Sequence, residues 1–357
     1  MKNTVKELAS YVPPVPESQL KAKYGLKQVV RLSANENPYG TSPAVAKAVI
    51  EAVPKVQNYY PDSNCTALRN LIAKRLSVPA ANIVFGCGLD EIIAMVSRVF
   101  LTPGDEVLVS EPTFSEYQLN AELEGANVKM IPVNDQGQND LPAFLEQINE
   151  NVNLIWLCNP NNPTGGLNSL AAIQDFLDQV PEDILVIIDE AYIEYAEANE
   201  AVSAVPLLSK YDNVAIMRTF SKAYGLASYR VGYIIMDSNR AKYMQSVRLP
   251  YNLNTLSQVA AIAALNDSKF VEQTVERNQV EREKWVQFLS QINFKFYPSA
   301  ANFIYFKVPD AELITSVLMQ NGYQVRSGQQ PNWIRVTIGK PVDNQVIQNL
   351  IKSTFKC

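Results

Sequence analysis

The stretch ILVIIDEAY at residues 184–192 sets the fold class of this chain. Its five consecutive apolar residues, Ile184 to Ile188, predict a strand that is buried on both faces, as in a parallel sheet. Asp189 follows at the carboxyl end of that strand, where open α/β sheets bind their ligands. A carboxylate beside so apolar a strand is costly, so we expect a cationic partner for it. The alternative is that Asp189 is the N-cap of a following helix.

Other apolar runs of similar length lie on both sides of this strand and alternate with helical patterns such as those at 67–76 and 170–179. The runs span residues 83–85, 107–109, 128–133, 154–158, 214–217 and 231–236. Strands that alternate with helices are typical of a mainly parallel sheet with helices on its faces. The sequence therefore predicts an α/β fold.

The two ends of the chain differ from this central region. The first thirty residues are proline-rich and weakly periodic, which predicts an extended arm. After the central region, a charged, helix-favouring stretch lies at 271–290. Short strand-like segments then lie at 294–297, 303–308 and 334–338. We therefore divide the chain into an arm (1–30), a large domain (31–265) and a smaller α+β domain (266–357), with a cleft between the two domains.

A lysine in a loop is the first candidate for chemistry. Lys222 lies in SKAYGL at residues 221–226, with Arg230 and Gly232 just beyond. A lysine amine becomes a nucleophile when it is neutral or already condensed as an imine, and burial near other cations favours the neutral form. Lys222 is therefore a candidate covalent catalyst, and the alternative is an ordinary solvated surface charge.

Two further loops carry candidate ligand-binding groups. NPNNPTGG at 159–166 follows the strand predicted at 154–158, and its prolines stiffen a loop that can aim the amide of Asn162. FGCGLDE at 85–91 precedes a helical pattern, so its backbone N–H groups can form an anion site. It matches neither the Walker loop nor the dinucleotide fingerprint. For both loops, an ordinary turn is the alternative.

An anion cradle, an amide, a carboxylate and an imine-forming lysine together suit an anionic, aromatic, aldehyde-bearing cofactor. The chain resembles the fold-type I pyridoxal-phosphate aminotransferases from end to end, and within that group it is similar to the histidinol-phosphate aminotransferases. The motifs that carry the resemblance are NENPYG (35–40), YYPD (59–62), FGCGLDE (85–91), PTFSEY (112–117), NPNNPTG (159–165), DEAY (189–192), TFSKAYGLASYRVGY (219–233), SAANF (299–303), and NGYQVRSG and IRVTIG near the end. The family implies a seven-stranded, mostly parallel sheet.

The resemblance also implies roles for individual residues around pyridoxal phosphate. Lys222 would bind the cofactor as a Schiff base and then shuttle a proton, while Asp189 would pair with the pyridine nitrogen. Asn162 and Tyr192 would hydrogen-bond the phenolic oxygen. Phe114 would stack on the ring, a role for which Tyr117 is the weaker candidate. The residues implied for the cofactor phosphate are Gly88, Leu89, Asp90, Ser221 and Arg230, together with Tyr60 from a neighbouring subunit, which implies a homodimer.

For the substrate, the resemblance implies that Arg335 binds a carboxylate or phosphate through its planar guanidinium, with Arg326 assisting at the phosphate. Tyr11 and Asn37 would form the pocket wall around an imidazole ring. The alternatives are surface salt bridges for the two arginines and core packing for Tyr11.

Composition limits the other classes of function. The 31 basic and 36 acidic residues give a net charge of -5 without a basic block, which does not favour a nucleic-acid or membrane partner. The four cysteines show no paired spacing and the chain has no histidine, so we expect no metal site and no disulfide framework. No apolar leader or stretch of ~18 apolar residues is present, so we expect a cytoplasmic protein.

The resulting hypothesis is transamination between L-histidinol phosphate and 2-oxoglutarate, running biosynthetically from glutamate, within histidine biosynthesis. An aromatic amino-acid aminotransferase acting on phenylalanine or tyrosine is the main alternative. A pyridoxal-phosphate decarboxylase of a phosphorylated amino acid and a cofactor-binding regulator are further alternatives that would share the cofactor residues.

Overall fold

The computed structural model describes residues 3–6, 15–196 and 202–357. Its strands are β1 (Val30–Arg31), β2 (Ile83–Cys87), β3 (Glu106–Glu111), β4 (Asn127–Pro132), β5 (Val152–Cys158), β6 (Leu185–Asp189), β7 (Val214–Thr219), β8 (Val231–Ile235), β9 (Phe303–Lys307), β10 (Tyr323–Gln324), β11 (Arg326–Ser327) and β12 (Trp333–Thr337). Its α-helices are α1 (Asn3–Lys6), α2 (Glu17–Tyr24), α3 (Pro43–Val56), α4 (Thr66–Leu76), α5 (Gly88–Phe100), α6 (Ser115–Glu124), α7 (Leu141–Glu146), α8 (Leu170–Leu177), α9 (Ile193–Ala196), α10 (Ser238–Val247), α11 (Thr255–Leu265), α12 (Ser268–Gln291), α13 (Ala311–Gln320) and α14 (Pro341–Phe355).

A seven-stranded sheet organises the first two thirds of the chain, with strand order β2-β8-β7-β6-β5-β3-β4. The β4, β3, β5, β6 and β7 strands run parallel, whereas β8 is antiparallel to both of its neighbours. The prediction of an α/β fold with a mostly parallel sheet of seven strands is confirmed. Each predicted apolar run forms one of these strands.

The central strands are buried on both faces because side chains alternate across a sheet. In β6, Leu185 and Ile187 pack into the apolar cluster on one face, and Val186 and Ile188 pack into the cluster on the other. The strand register pairs Asp189 with the last residue of β5, Cys158, and with Met217 of β7. The loops that leave β5, β6 and β7 therefore begin at the same edge of the sheet.

The C-terminal part of the chain has its own sheet and core. Strands β11, β12 and β9 form an antiparallel sheet, and helices α12, α13 and α14 pack near it around a cluster that contains Trp285, Ile334 and Ile347. The strand predicted at 294–297 is wrong in extent, since that stretch forms only an isolated bridge between Phe296 and Phe306.

Residues 30–32 join this C-terminal core although they lie far away in sequence. Strand β1 pairs in parallel with β10, and Leu32 packs into the C-terminal apolar cluster. The chain then passes from this core towards the large sheet through residues 33–37. The division into segments 1–30, 31–265 and 266–357 stays a prediction. The extended conformation predicted for the first segment is wrong for residues 17–24, which form helix α2.

Among the described residues, no helix combines the length and apolar character needed to span a membrane.

Candidate active site

A cavity of about 500 Å³ lies where the loops after β5, β6 and β7 face the C-terminal sheet. Most of the predicted site residues line it, namely Leu89, Asp90, Phe114, Asn162, Asp189, Tyr192, Ser221, Lys222, Arg230, Arg326 and Arg335. Gly88, Tyr60 and Asn37 are not in its wall, and Tyr11 falls outside the described residues. The fold therefore brings these predicted side chains together from six separate segments of the chain.

Lys222 is a partly buried lysine in the loop after β7. Its Nζ donates a hydrogen bond of 3.0 Å to the carbonyl oxygen of Ala34 and lies 5.7 Å from the centre of the Tyr192 ring. Burial, with the positive charge of Arg335, lowers the pKa of the Lys222 amine to about 8. A sizeable fraction of this amine is therefore neutral near pH 8, as covalent attachment to an aldehyde requires.

Asp189 ends strand β6 with its side chain only 3% exposed. The Tyr117 hydroxyl donates to Oδ2 at 2.6 Å, and the backbone N–H of Ala191 donates to Oδ1 at 2.9 Å. Both groups that hydrogen-bond this carboxylate are neutral. The cationic partner expected from the sequence is therefore not among its hydrogen-bond donors. Burial consequently raises the pKa of Asp189 to about 6. A protonated ring nitrogen entering the cavity would supply the missing positive charge, so Asp189 fits the pyridine nitrogen of pyridoxal phosphate.

Tyr117 contributes a function that its sequence context did not reveal. Its ring is fully buried, stacks on Trp156 with 4.6 Å between centroids, and meets Phe114 edge-on at 5.6 Å. The ring is therefore used in packing, while the hydroxyl orients Asp189. The sequence did contain a signal for the contact between the two rings: Phe114 and Tyr117 are three residues apart, which places both on one side of the first turn of α6.

The predicted anion cradle lies at the start of α5. Gly88 has a φ of +78°, and a Cβ there would collide with the guanidinium of Arg230, so this close approach requires glycine. Arg230 forms a 2.9 Å ion pair with Asp90, and Ser221 accepts a 3.0 Å hydrogen bond from the Thr219 hydroxyl. A helix N-terminus beside an arginine and a serine fits a phosphate group.

Arg335 lies on β12 with its guanidinium in the cavity wall. Its Nη1 donates to the Oδ1 of Asn162, and its Nη2 donates to the carbonyl oxygen of Ser33 at 2.6 Å. Its Nε is buried without a hydrogen-bond partner among the described residues, and burial lowers the pKa of Arg335 to about 10. Arg326 is its register partner on β11. Two neighbouring guanidiniums in the cavity wall fit an anionic substrate group.

The segment 33–37 supports the site from the opposite side. The amide of Asn35 donates to the Tyr192 hydroxyl at 2.9 Å, a contact that the sequence analysis missed. Asn37 donates instead to the carbonyl oxygen of Ala223 at 2.9 Å. Asn37 therefore holds the loop that carries Lys222, whereas Asn35 is the asparagine of this motif that lines the cavity.

Tyr60 is 81% exposed, and its ring stacks on Tyr251 with 4.6 Å between centroids. It does not reach the cavity of its own chain. This position is compatible with the predicted role of Tyr60 at a neighbouring subunit's site, which stays a prediction.

Comparisons with known proteins agree along the whole chain. The family model "Aminotransferase class I and II" matches residues 27–353. The histidinol-phosphate aminotransferase of Limosilactobacillus fermentum is 50% identical to this chain, over 100% of this chain and 99% of that relative. The enzyme of the same name from Bacillus subtilis (strain 168) is 43% identical, over 97% of each. A crystal structure of histidinol-phosphate aminotransferase from Sinorhizobium meliloti with pyridoxal-5'-phosphate superposes with a TM-score of 0.89 at 27% identity, over 99% of this chain and 98% of that chain.

We predict that Asp189→Asn stabilises the cofactor-free protein at pH 8. Because burial raises the pKa of this carboxyl from its usual 3.8 to about 6, ionisation is harder in the folded state than in the unfolded one. The wild type therefore loses stability as the pH rises from about 4 to above 6. The variant should gain on the order of 3 kcal/mol in unfolding free energy at pH 8 and nothing below about pH 4. Urea unfolding of both proteins across this range measures the difference.

Asp178→Asn is the matched control, since hydrogen bonds from Tyr211 and Lys210 lower the pKa of that exposed carboxyl. This variant should lose stability above pH 4 and not gain it. A gain for Asp189→Asn that is equal at pH 4 and pH 8 would contradict the ionisation account.

Proposed function

Because the chain belongs to the class I and II aminotransferase family, we propose that it transfers an amino group between L-histidinol phosphate and 2-oxoglutarate in histidine biosynthesis. In the biosynthetic direction, glutamate donates the amino group and 3-(imidazol-4-yl)-2-oxopropyl phosphate accepts it. Full-length similarity to relatives of that activity, at 50%, 48% and 44% identity, supports this substrate. The observation that carries the proposal within the cavity is the Arg335 and Arg326 pair, which offers two guanidiniums to one anionic group.

Pyridoxal phosphate, when bound, withdraws electrons from the substrate α-carbon and carries the amino group between the two half-reactions. The Lys222 amine would hold it covalently and would move the proton at the substrate α-carbon. Burial and the positive charge of Arg335 lower the pKa of this amine, which favours the neutral form that can accept a proton.

The remaining residues bind and orient the cofactor. Asp189 keeps a positive charge on the ring nitrogen, and the Tyr117 hydroxyl holds the carboxylate in position for this. Phe114 packs on the ring face. Hydrogen bonds from Asn162 and Tyr192 stabilise the phenolic oxygen. Ser221, Arg230 and the backbone N–H of Leu89 would hold the phosphate, with Asp90 orienting Arg230. The predicted contact from the Gly88 N–H is not supported, because that group donates to the carbonyl oxygen of Arg230 at 3.0 Å.

At the substrate end, Arg335 and Arg326 bind the phosphate of histidinol phosphate or the carboxylate of glutamate. The two terminal nitrogens of Arg335 each carry a second N–H beyond the bonds to Asn162 and to the Ser33 carbonyl, so the guanidinium keeps donors for a substrate oxygen. The bonds to Asn162 and to the Ser33 carbonyl fix the guanidinium plane. A dianionic phosphate gains more from the second arginine than a carboxylate does.

Half-reactions test the proposal against the aromatic alternative, since aromatic aminotransferases would share the cofactor residues. Histidinol phosphate, phenylalanine and tyrosine are each mixed with one preparation of cofactor-loaded enzyme, and the loss of cofactor absorbance gives a specificity constant. We expect histidinol phosphate to exceed the other two by about ten-fold or more, the value of one further hydrogen bond between charged groups. A preference for phenylalanine or tyrosine would assign the chain to the aromatic enzymes.

We also propose that the enzyme is a homodimer in which Tyr60 contacts the cofactor phosphate of the partner subunit. Other large side chains near this tyrosine are also exposed: Tyr59 precedes it in sequence, Tyr251 stacks on its ring, and Leu249 lies two residues before Tyr251. Such a patch on a protein surface is typical of an interaction site. Tyr60 is not in the wall of its own chain's cavity, and its ring stacks on Tyr251.

Mixed dimers test this arrangement. Lys222→Ala should abolish turnover, and Tyr60→Ala should weaken cofactor binding by about ten-fold through the lost hydrogen bond to phosphate. When the two variants are unfolded together and refolded, mixed dimers contain one site with both residues intact. Activity at limiting cofactor should therefore rise above that of either variant alone. No recovery, in mixtures that sedimentation shows to contain dimers, would place Tyr60 in its own chain's site or in none.

For its location, we propose the cytoplasm. The four cysteines, Cys65, Cys87, Cys158 and Cys357, are all free thiols, which suits a reducing compartment.

A further inference from the structure

Glu36 is a cavity carboxylate that the proposed reaction does not yet use. The acidic side chains in the cavity wall, among the described residues, are Glu36, Asp90 and Asp189. Asp189 faces the cofactor ring nitrogen and Asp90 pairs with Arg230 at the phosphate cradle. Glu36 remains as an acceptor available to a substrate.

Its position follows from the backbone contacts of the residues just before it. The carbonyl oxygen of Ser33 accepts from Arg335, which binds the substrate anion, and that of Ala34 accepts from the Lys222 amine. The Asn35 side chain contacts Tyr192. Successive residues of this segment therefore follow the cavity wall past the anion site and the reacting amine. Because two residues of chain span at most about 7 Å, Glu36 begins close to the reacting amine.

Arg31 holds the Glu36 carboxylate in one orientation. Its Nε donates to Oε2 at 3.1 Å, and its Nη2 donates to Oε1, so the guanidinium binds both oxygens side by side. The Glu36 side chain is 28% exposed and that of Arg31 is 53% exposed, and both residues line the cavity. A carboxylate has about four lone-pair sites, so two remain for a further donor.

We propose that Glu36 is the specificity residue that accepts a hydrogen bond from a ring nitrogen of the imidazole, with Arg31 as its positioning residue. This inference rests on the proposed function. With the anionic group at Arg335 and the reacting carbon at Lys222, the ring is the substituent left to face the remaining wall. An imidazole presents an N–H donor at its edge, which can bind the Glu36 carboxylate. A phenyl ring presents no donor, so it would displace water from this carboxylate without replacing the lost hydrogen bond. Sites that hydrogen-bond a substrate group discriminate strongly against analogues that lack it.

The test compares histidinol phosphate with phenylalanine on the cofactor-loaded enzyme, before and after Glu36→Gln. The specificity constant for histidinol phosphate should fall about ten- to hundred-fold, the range for a hydrogen bond to a charged group. The ratio of the two specificity constants should fall by a similar factor. Arg31→Met should lower the same ratio by a smaller factor, since the carboxylate remains but loses its orientation.

Glu17→Gln is the matched control, because it removes the same charge from an exposed ion pair with Lys21, 2.5 Å long and outside the cavity. It should leave the ratio unchanged. Cofactor absorbance and a thermal melt confirm that each variant is folded. An unchanged ratio in Glu36→Gln would overturn the inference, whether both constants fall together or neither falls. If the wild type itself prefers phenylalanine, the proposed function fails. If the wild type prefers histidinol phosphate and Glu36→Gln keeps the same ratio of specificity constants, the proposed function stands and this inference fails.

Discussion

The buried carboxylate of Asp189 is the constraint on which the site depends. A strand apolar on both faces delivers this group to the edge of the sheet, and a hydroxyl and a backbone amide, both neutral, bind it there. The protein alone therefore compensates its negative charge only in part, and burial raises the pKa of this carboxyl to about 6. A cofactor with a basic ring nitrogen relieves this strain, and the same interaction makes the ring a better acceptor of electrons.

The second requirement is that the two sheets act on one substrate. Arg335 belongs to the C-terminal sheet, whereas Asp189 ends a strand of the large sheet and Asn162 and Lys222 follow such strands. The 33–37 segment joins them, since it accepts hydrogen bonds from Arg335 and Lys222 and donates to Tyr192 and to the Ala223 carbonyl. Anion binding and proton transfer are thereby fixed relative to one short piece of backbone. The same piece presents Glu36 to the cavity.

The parts that sequence predicts well are those with local causes. Apolar runs define the strands of the large sheet, and Pro, Gly and Asn mark the loops after them, so Asp189, Asn162 and Lys222 could be selected and expected at one edge. The contacts that complete the site are remote in sequence. Tyr117 and Asp189 are 72 residues apart, Asn35 and Tyr192 are 157 apart, and Lys222 and Ala34 are 188 apart. No periodicity encodes such pairs. For this reason only the fold shows that Asp189 has neutral hydrogen-bond donors and that Asn35, in place of the predicted Asn37, lines the cavity.

The central claim is that the Lys222 amine, opposite the Asp189 carboxylate, is the covalent attachment point of pyridoxal phosphate. Borohydride reduction of the loaded enzyme fixes the carbon–nitrogen bond, and peptide mass spectrometry then locates it. The account predicts one cofactor per chain, on the peptide that contains Lys222, with attachment lost in Lys222→Ala. Label on a different lysine, or undiminished label in that variant, would contradict it.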